Sequence, residues 1–310
     1  MGRRNKGRQV NGILLLNKPL GVSSNGALQK VRHLFLAVKA GHTGSLDPLA
    51  TGVLPICFGE ATKFTQFLLD ADKKYNATIR FGVSTASGDA GSEVVSELGA
   101  EDLTAKRVEA VLAEFRGNIA QVPSMYSALK HEGQRLYKLA RQGISVDRKA
   151  RDVIIYSLEM TEFRFGEFPE ADIKVHCSKG TYIRSLAEDI GSRLGCGAYV
   201  SKLHREAVGQ FNEKDSITMG ELESISEPRL TASLDRLLKP MDAGIQHLMA
   251  IYLSEDVAFY FRQGQTVMTT QAYREGKEGD IVRVFHLEGS FLGVGEVTID
   301  GKLAPKRLVI

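Results

Sequence analysis

The sequence predicts an α+β chain in which one large mixed body carries a small all-β module at its C-terminal end. Three observations predict this. Helix-period segments near 25–38, 104–117 and 182–195 are interleaved with period-two segments at 75–81 and 171–177. Beyond Pro240 the pattern changes to short alternating pieces, such as "DIVRVF" and "FLGVGEV", separated by Gly and Asp turns, with no comparable helix expected after about Arg262. At 310 residues the chain is long for one minimal domain and short for three. Domains are expected at 1–248, with 1–10 as a flexible basic arm, and at 249–310 as a β-barrel or sandwich.

The elements follow in order. Leu28, Val31, Leu34, Phe35 and Val38 fall on one helical face, with Ser23 or Ser24 as N-cap and an end before Gly41. "VLPICFG" suits a buried strand, with Pro55 expected at its edge or first rungs. In "YNATIRFG", Tyr75, Ala77, Ile79 and Phe81 alternate with Asn76, Thr78 and Arg80, the period of a half-buried strand. "LTAKRVEAVLAEFRG" reads as a helix capped by Thr104 and stopped by Gly117. "ADIKVHC" is a further strand, and "SKGT" turns it into the helix "YIRSLAEDIGSRLG", placing Tyr182 and Arg184 in its first turn.

Composition narrows the function classes. Forty Lys+Arg against 37 Asp+Glu leave +3, so any polyanion-binding surface is local. One basic cluster, "RRNKGR" at 3–8, reads as a solvated tail or as an arm on phosphates. Cys57, Cys177 and Cys196 form no CxxC pair, which argues against a zinc site or a disulfide framework. The run "ILLL" from Ile13 is too short for a signal peptide or a membrane span, so a soluble, cytoplasmic protein is expected.

"GHTGSLDPLATG" at 41–52 isolates one acid, Asp47, before Pro48, which pushes the aspartate backbone toward an extended conformation. Glu60 is the only other acid within a dozen residues, which disfavours a metal site. A lone carboxylate suits a nucleophile or an electrostatic stabiliser at a sugar carbon, kept ionised by a nearby cation. Capping a turn is the commoner fate of an Asp before Pro. A glycosidase would need a second acid from elsewhere in the chain.

The stretches "NGILLLNKPLGVSS", "AGHTGSLDPLATGVLPICFGEATKF", "VPSMYSALKHEGQRLYKLARQG" and "HCSKGTYIRSLAEDIGSRLGCGA" together resemble the TruB family of bacterial tRNA pseudouridine synthases, in the family's order, from about Asn11 to Gly209. The tail "FRQGQ" to "GKLAPKRLV" resembles that family's PUA-type RNA-binding module. The resemblance implies a pseudouridine-synthase fold with a large, mainly antiparallel mixed sheet flanked by helices. It implies isomerisation of the T-loop uridine at tRNA position 55 without cofactor or metal, on a tRNA T-arm bound by a monomer away from any membrane. Chaperoning of tRNA folding is an additional implied role.

Residue by residue, the resemblance makes Asp47 the catalytic carboxylate and Arg184 its paired guanidinium. It makes Tyr75 the active-site tyrosine, gives Tyr182 and Leu203 to the nucleotide pocket, and sets His42 beside the displaced nucleotide. Lys18 and Lys130 are expected to contact phosphate or support the pocket. Two departures bear on RNA contacts. "TASGDAG" has Ser87 where the family pattern has a second threonine, and His204 and Arg205 stand where two arginines are common.

Overall fold

The computed structural model describes residues 7–226 and 231–309. In chain order the first half contains β1 (Gly12–Lys18), α1 (Ser24–Leu34), β2 (Ala40–His42), β3 (Ala50–Phe58), α2 (Thr65–Asp70), β4 (Lys73–Phe81), β5 (Val83–Thr85), β6 (Val94–Glu97), α3 (Ala105–Glu114), β7 (Gly117–Gln121), β8 (Lys130–His131), β9 (Gln134–Arg135) and α4 (Leu136–Ala140). Then come β10 (Arg151–Arg164), β11 (Glu170–Cys177), α5 (Ile183–Leu194), β12 (Ala198–Val208), β13 (Phe211–Asn212), β14 (Ile217–Thr218), α6 (Met219–Ser226) and α7 (Thr231–Asp235). The C-terminal part holds β15 (Ala250–Leu253), α8 (Glu255–Arg262), α9 (Thr270–Glu275), β16 (Ile281–His286), β17 (Phe291–Val297) and β18 (Leu303–Leu308).

Among the described residues ten strands form one mixed sheet in the order β14-β1-β3-β12-β4-β11-β10-β7, with β13 on β12 and β2 on β3. The pairs β1–β14 and β3–β12 are parallel, and the other pairs are antiparallel. Strands β1 and β3 are covered on both faces. Leu14, Leu16, Leu54, Ile56 and Phe58 enter the main core with α1 and α5, while Ile13, Leu15, Val53 and Cys57 pack beneath Ala61, Leu68 and Ala243. Double coverage explains why these two strands read as unbroken apolar runs, whereas β4 alternates.

Several local expectations shift. Helix α1 is capped by Ser23, whose side chain accepts from Gly26 N, but ends at Leu34. Leu36 takes a φ of 51°, which diverts the chain from the helical path, so Val38 lies outside it. Pro55 sits inside β3, opposite Leu15. It falls where the other neighbour of β3 changes from β12, paired through Gly52, to β2, paired from Ile56, so no ladder bond needs its missing N–H. Tyr75 is the third residue of β4, and Tyr182 is the N-cap residue of α5. Thr104 caps α3 as expected.

Residues 1–6 of the anticipated basic arm lie outside the described residues. From Gly7 onward the arm is packed. Arg8 N donates to Leu36 O at 2.6 Å, its guanidinium pairs with Asp235, and Val10 is buried.

The strands β15-β16-β17-β18 form a separate sheet, with a core of its own built on Ile251, Leu253, Phe261, Val282, Val284 and Leu303. It meets the main body through Phe64 and Phe291, whose ring centroids are 5.2 Å apart. An Asp242–Arg283 ion pair at 2.9 Å and a Lys63 Nζ bond to Leu308 O at 2.8 Å complete that contact. Among the described residues no helix is long and apolar enough to cross a membrane.

Candidate active site

The segment between β2 and β3 carries Asp47, and its backbone is tethered from outside at successive points. Arg205 Nη2 donates to Gly44 O at 3.1 Å. Ser24 Oγ donates to Leu46 O at 2.9 Å and accepts from Leu46 N at 2.7 Å. Gly21 N donates to Pro48 O at 2.8 Å, and Asp47 O accepts from Ala50 N at 3.0 Å. A loop whose polar backbone groups are satisfied this way holds its side chain in one place.

Two buried cations make much of this scaffold. Lys18 is fully buried and its Nζ donates to Val22 O at 2.6 Å and Pro19 O at 2.8 Å, with Pro48 O at 3.4 Å. Burial brings its ammonium down to about 8 against the pull of Asp47, with Arg205 lowering it further. Of the two roles expected for Lys18, phosphate contact is excluded by this burial, and the side chain clamps the loop. Arg205 is only 1% exposed and also donates Nε to Val53 O at 2.9 Å, so it cannot take up a phosphate either. His204 is likewise engaged within the fold, by Thr51 Oγ1 at 2.8 Å and Glu213 at 3.0 Å.

Strand register assembles the rest. Leu203 lies between Ala50 of β3 and Ala77 of β4, and Arg205 lies between Gly52 and Tyr75. The pairing at Gly52 is so close that a Cβ there would stand 2.2 Å from Arg205 O, at a φ of 105° that a side chain rarely adopts. Tyr75 and Leu203 are thereby drawn to the strand end from which the Asp47 loop departs. Tyr75 is 9% exposed, and burial raises its phenol above the ordinary value. The Arg205 guanidinium opposes that rise, and the Asp47 charge adds to it.

The carboxylate of Asp47 meets Arg184 side-on, with Oδ2 to Nε at 2.9 Å and Oδ1 to Nη2 at 3.3 Å. This two-pronged grip is the geometry a guanidinium offers and an ammonium cannot. The remaining donors of Arg184 are also used. Nη1 binds Ser87 O at 2.9 Å and Nη2 binds Tyr126 O at 3.2 Å. Arg184 is 5% exposed and Asp47 is 38% exposed, so the pair is anchored on the arginine side and open on the acid side. Burial pushes the Asp47 carboxyl above the ordinary carboxylate value, Arg184 pulls it back, Asp89 pushes it up and Lys18 pulls it down.

Asp89 is a residue of this cluster that sequence reasoning missed. Its Oδ2 lies 3.5 Å from Arg184 Nη1, while Oδ1 accepts from Ser87 Oγ at 2.7 Å and Gly91 N at 2.9 Å. "TASGDAG" is thus an internal loop that braces Arg184. The available signal was an Asp two residues after Ser87, a spacing that favours a side-chain-locked turn.

The other expected residues divide. His42, on β2, has a buried Nδ1 with no hydrogen-bond partner, and burial, followed by the charge of Arg205, lowers its pKa. Tyr182 sits two residues before Arg184, its backbone held by Gln121. Lys130 is exposed on the β8–β9 hairpin and takes no part in the cluster around Asp47. Among the described residues no three His, Cys, Asp or Glu side chains converge as a metal site.

Three family models match the chain. "TruB family pseudouridylate synthase (N terminal domain)" covers 32–183, "tRNA pseudouridylate synthase B C-terminal domain" covers 184–246, and "Pseudouridine synthase II TruB, C-terminal" covers 250–309. The chain is 53% identical over 310 residues to the tRNA pseudouridine synthase B of Saccharophagus degradans, covering 100% of this chain and 99% of that one. To the Coxiella burnetii protein of the same name it is 51% identical over 302 residues, covering 97% and 96%. Among solved structures it is similar to a Cbf5-Nop10-Gar1 complex, with a TM-score of 0.72 at 25% identity, covering 96% of this chain and 84% of that chain. An H/ACA RNP bound to a substrate RNA containing 2′-deoxyuridine shares the fold, with a TM-score of 0.71 at 22% identity over 100% and 92%.

Proposed function

The chain belongs to the TruB family of pseudouridylate synthases, and from that premise we propose that this isomerase, a tRNA pseudouridine synthase, acts on the T-loop uridine at tRNA position 55 with Asp47 as its catalytic residue. The observation that carries the reading is the asymmetry of the Asp47–Arg184 pair, 38% exposed at the acid and 5% at the arginine. A carboxylate held ionised by a buried guanidinium, with its open side toward solvent, is available to an anomeric carbon.

The target nucleotide leaves the base stack to reach this point. Asp47 acts at ribose C1′ as the N1–C1′ bond breaks. The uracil turns, a C5–C1′ bond forms, the C5 proton is lost and N1 regains one. Arg184 holds the acid ionised and oriented. Tyr75 offers a ring face to the uracil and a phenol at the step that removes the C5 proton. His42 and Leu203 occupy the space the displaced base enters, and Tyr182 closes it from the start of α5.

RNA is held beyond the acid by charge. Residues 128–151 hold seven Lys or Arg against two acids, and Lys130, Arg135, Lys138, Arg141, Lys149 and Arg151 are exposed. Such a segment grips phosphates without reading sequence. The C-terminal sheet supplies a second RNA-binding module, and one chain acts on one tRNA.

The test is incubation of unmodified tRNA with the purified protein and nucleoside analysis of the T-loop. Wild type converts position 55, and Asp47→Asn binds tRNA but forms no pseudouridine. Conversion at the wild-type rate by Asp47→Asn would overturn the assignment.

A further inference from the structure

Gln121 is 2% exposed and closes β7, at the point where the chain enters the segment leading to the basic residues 128–151. Its amide grips both backbone groups of Tyr182. Nε2 donates to Tyr182 O at 3.0 Å and Oε1 accepts from Tyr182 N at 2.8 Å. Tyr182 is the N-cap residue of α5, and no side chain of its own caps that helix. A glutamine side chain therefore does for the helix start what a neighbouring strand would do.

The second half of the arrangement lies five residues further on. Arg184, two residues after Tyr182, donates Nη2 to Tyr126 O at 3.2 Å. Residues 121–126 and 182–184 are thus fastened to each other twice, by the Gln121 side chain at one end and by the Arg184 side chain at the other. Ser124 tightens the intervening turn by accepting from Tyr126 N at 3.1 Å. Any displacement of the 121–126 strap moves the Tyr126 carbonyl, which is one of the fixed points of the guanidinium that holds Asp47.

We infer that Gln121 is a positioning residue: its clasp on the Tyr182 backbone sets the Arg184 guanidinium against Asp47, so that seating of RNA on the adjoining basic segment is felt at the catalytic carboxylate. The inference rests on the proposed role of Asp47. Gln121 touches neither acid nor substrate, and it acts through Arg184.

The experiment measures kcat, tRNA affinity and the pH dependence of kcat for Gln121→Ala and Gln121→Glu. The glutamate variant keeps size and an acceptor for Tyr182 N but loses the donor to Tyr182 O. For both, kcat should fall by on the order of 10- to 100-fold, the scale of a small misplacement at a reacting centre, with tRNA affinity within about threefold. Because Arg184 opposes the rise that burial imposes on the Asp47 pKa, a displaced Arg184 should also move the acid limb of kcat to higher pH, which a loss of folded protein alone would not do. With Arg184→Lys in the same chain, the two losses should not multiply. Unchanged kcat and acid limb in both variants, or losses that multiply, would overturn the inference while leaving the reading of Asp47 intact. If wild type forms no pseudouridine, or Asp47→Asn does, that reading fails instead.

Discussion

Asp89 Oδ2 stands 3.5 Å from Arg184 Nη1, on the side of the guanidinium away from the atoms that bind Asp47. One buried cation is shared by two carboxylates from distant loops. The partnership is unequal. Asp89 is 16% exposed and tied down by Ser87 and Gly91, whereas Asp47 is 38% exposed and its carboxylate is held by Arg184. The bound carboxylate braces, and the freer one is the carboxylate proposed to react.

Neutralising the brace separates charge from architecture. Asp89→Asn keeps an oxygen for Ser87 Oγ and Gly91 N but removes the negative charge that pushes Asp47 upward. The acid limb of kcat should therefore move to lower pH with tRNA affinity unchanged. Asp89→Ala, which also drops the loop bonds, should lower kcat by about tenfold. A pH–rate profile for each variant is the check, and an upward shift for Asp89→Asn would contradict the electrostatic picture.

Arg184→Lys keeps the charge and loses the fork. A lysine cannot engage both oxygens of Asp47 together with Ser87 O and Tyr126 O, so kcat should fall by roughly 10²- to 10³-fold. The Asp47 pKa should rise, moving the acid limb upward, while binding of tRNA persists. Single-turnover kinetics on position-55 conversion distinguishes this from weakened binding.

One turn beyond Arg184 on α5, burial raises the Glu188 carboxyl to about 7, with Arg184 and Arg148 opposing and Asp189 and Asp89 adding to the rise. Below about pH 4.5 the group is protonated in folded and unfolded chains alike and costs nothing. The cost of ionising it in the fold builds as pH rises from about 4.5 to 7 and is complete above that. Relative to wild type, Glu188→Gln should gain stability between pH 4.5 and pH 8 by up to about 3 kcal/mol. Urea unfolding at the two pH values measures it, and a constant difference would refute it.

The C-terminal sheet is tied to the body by Asp242 and Arg283, both mostly buried. Asp242→Ala leaves a guanidinium without its carboxylate at a cost of about 1–3 kcal/mol. Residues 250–309 should then unfold or become protease-sensitive at a lower temperature than the catalytic body. Calorimetry with mass mapping of the cut sites reads this directly, and one unshifted transition would refute it.

Much of the site was legible because its chemistry lies in local motifs. Asp47 before Pro48, Tyr75 on an alternating strand and Arg184 at a helix start could each be placed on an element from spacing alone. The scaffold was hidden because it is made of contacts across the sheet. Arg205 reads as a surface cation beside His204 until its register between Gly52 and Tyr75 is known. Lys18 follows a buried run in a position where a charged residue is usually exposed. Asp89 reaches Arg184, and Gln121 the Tyr182 backbone two residues before it, from segments far apart in the chain, and no periodicity reports that. Pro55 failed as an edge marker because it falls where β3 changes neighbours.

The carbonyls of Gly44, Leu46 and Pro48 are each pinned by a group from another part of the chain. The acid proposed to react therefore stands on a backbone tied at three carbonyls. With the loop pinned at these points, the approach of carboxylate and sugar falls to the nucleic acid in the proposed reaction, and the expected outcome is that tRNAs with a looser elbow turn over faster on this protein.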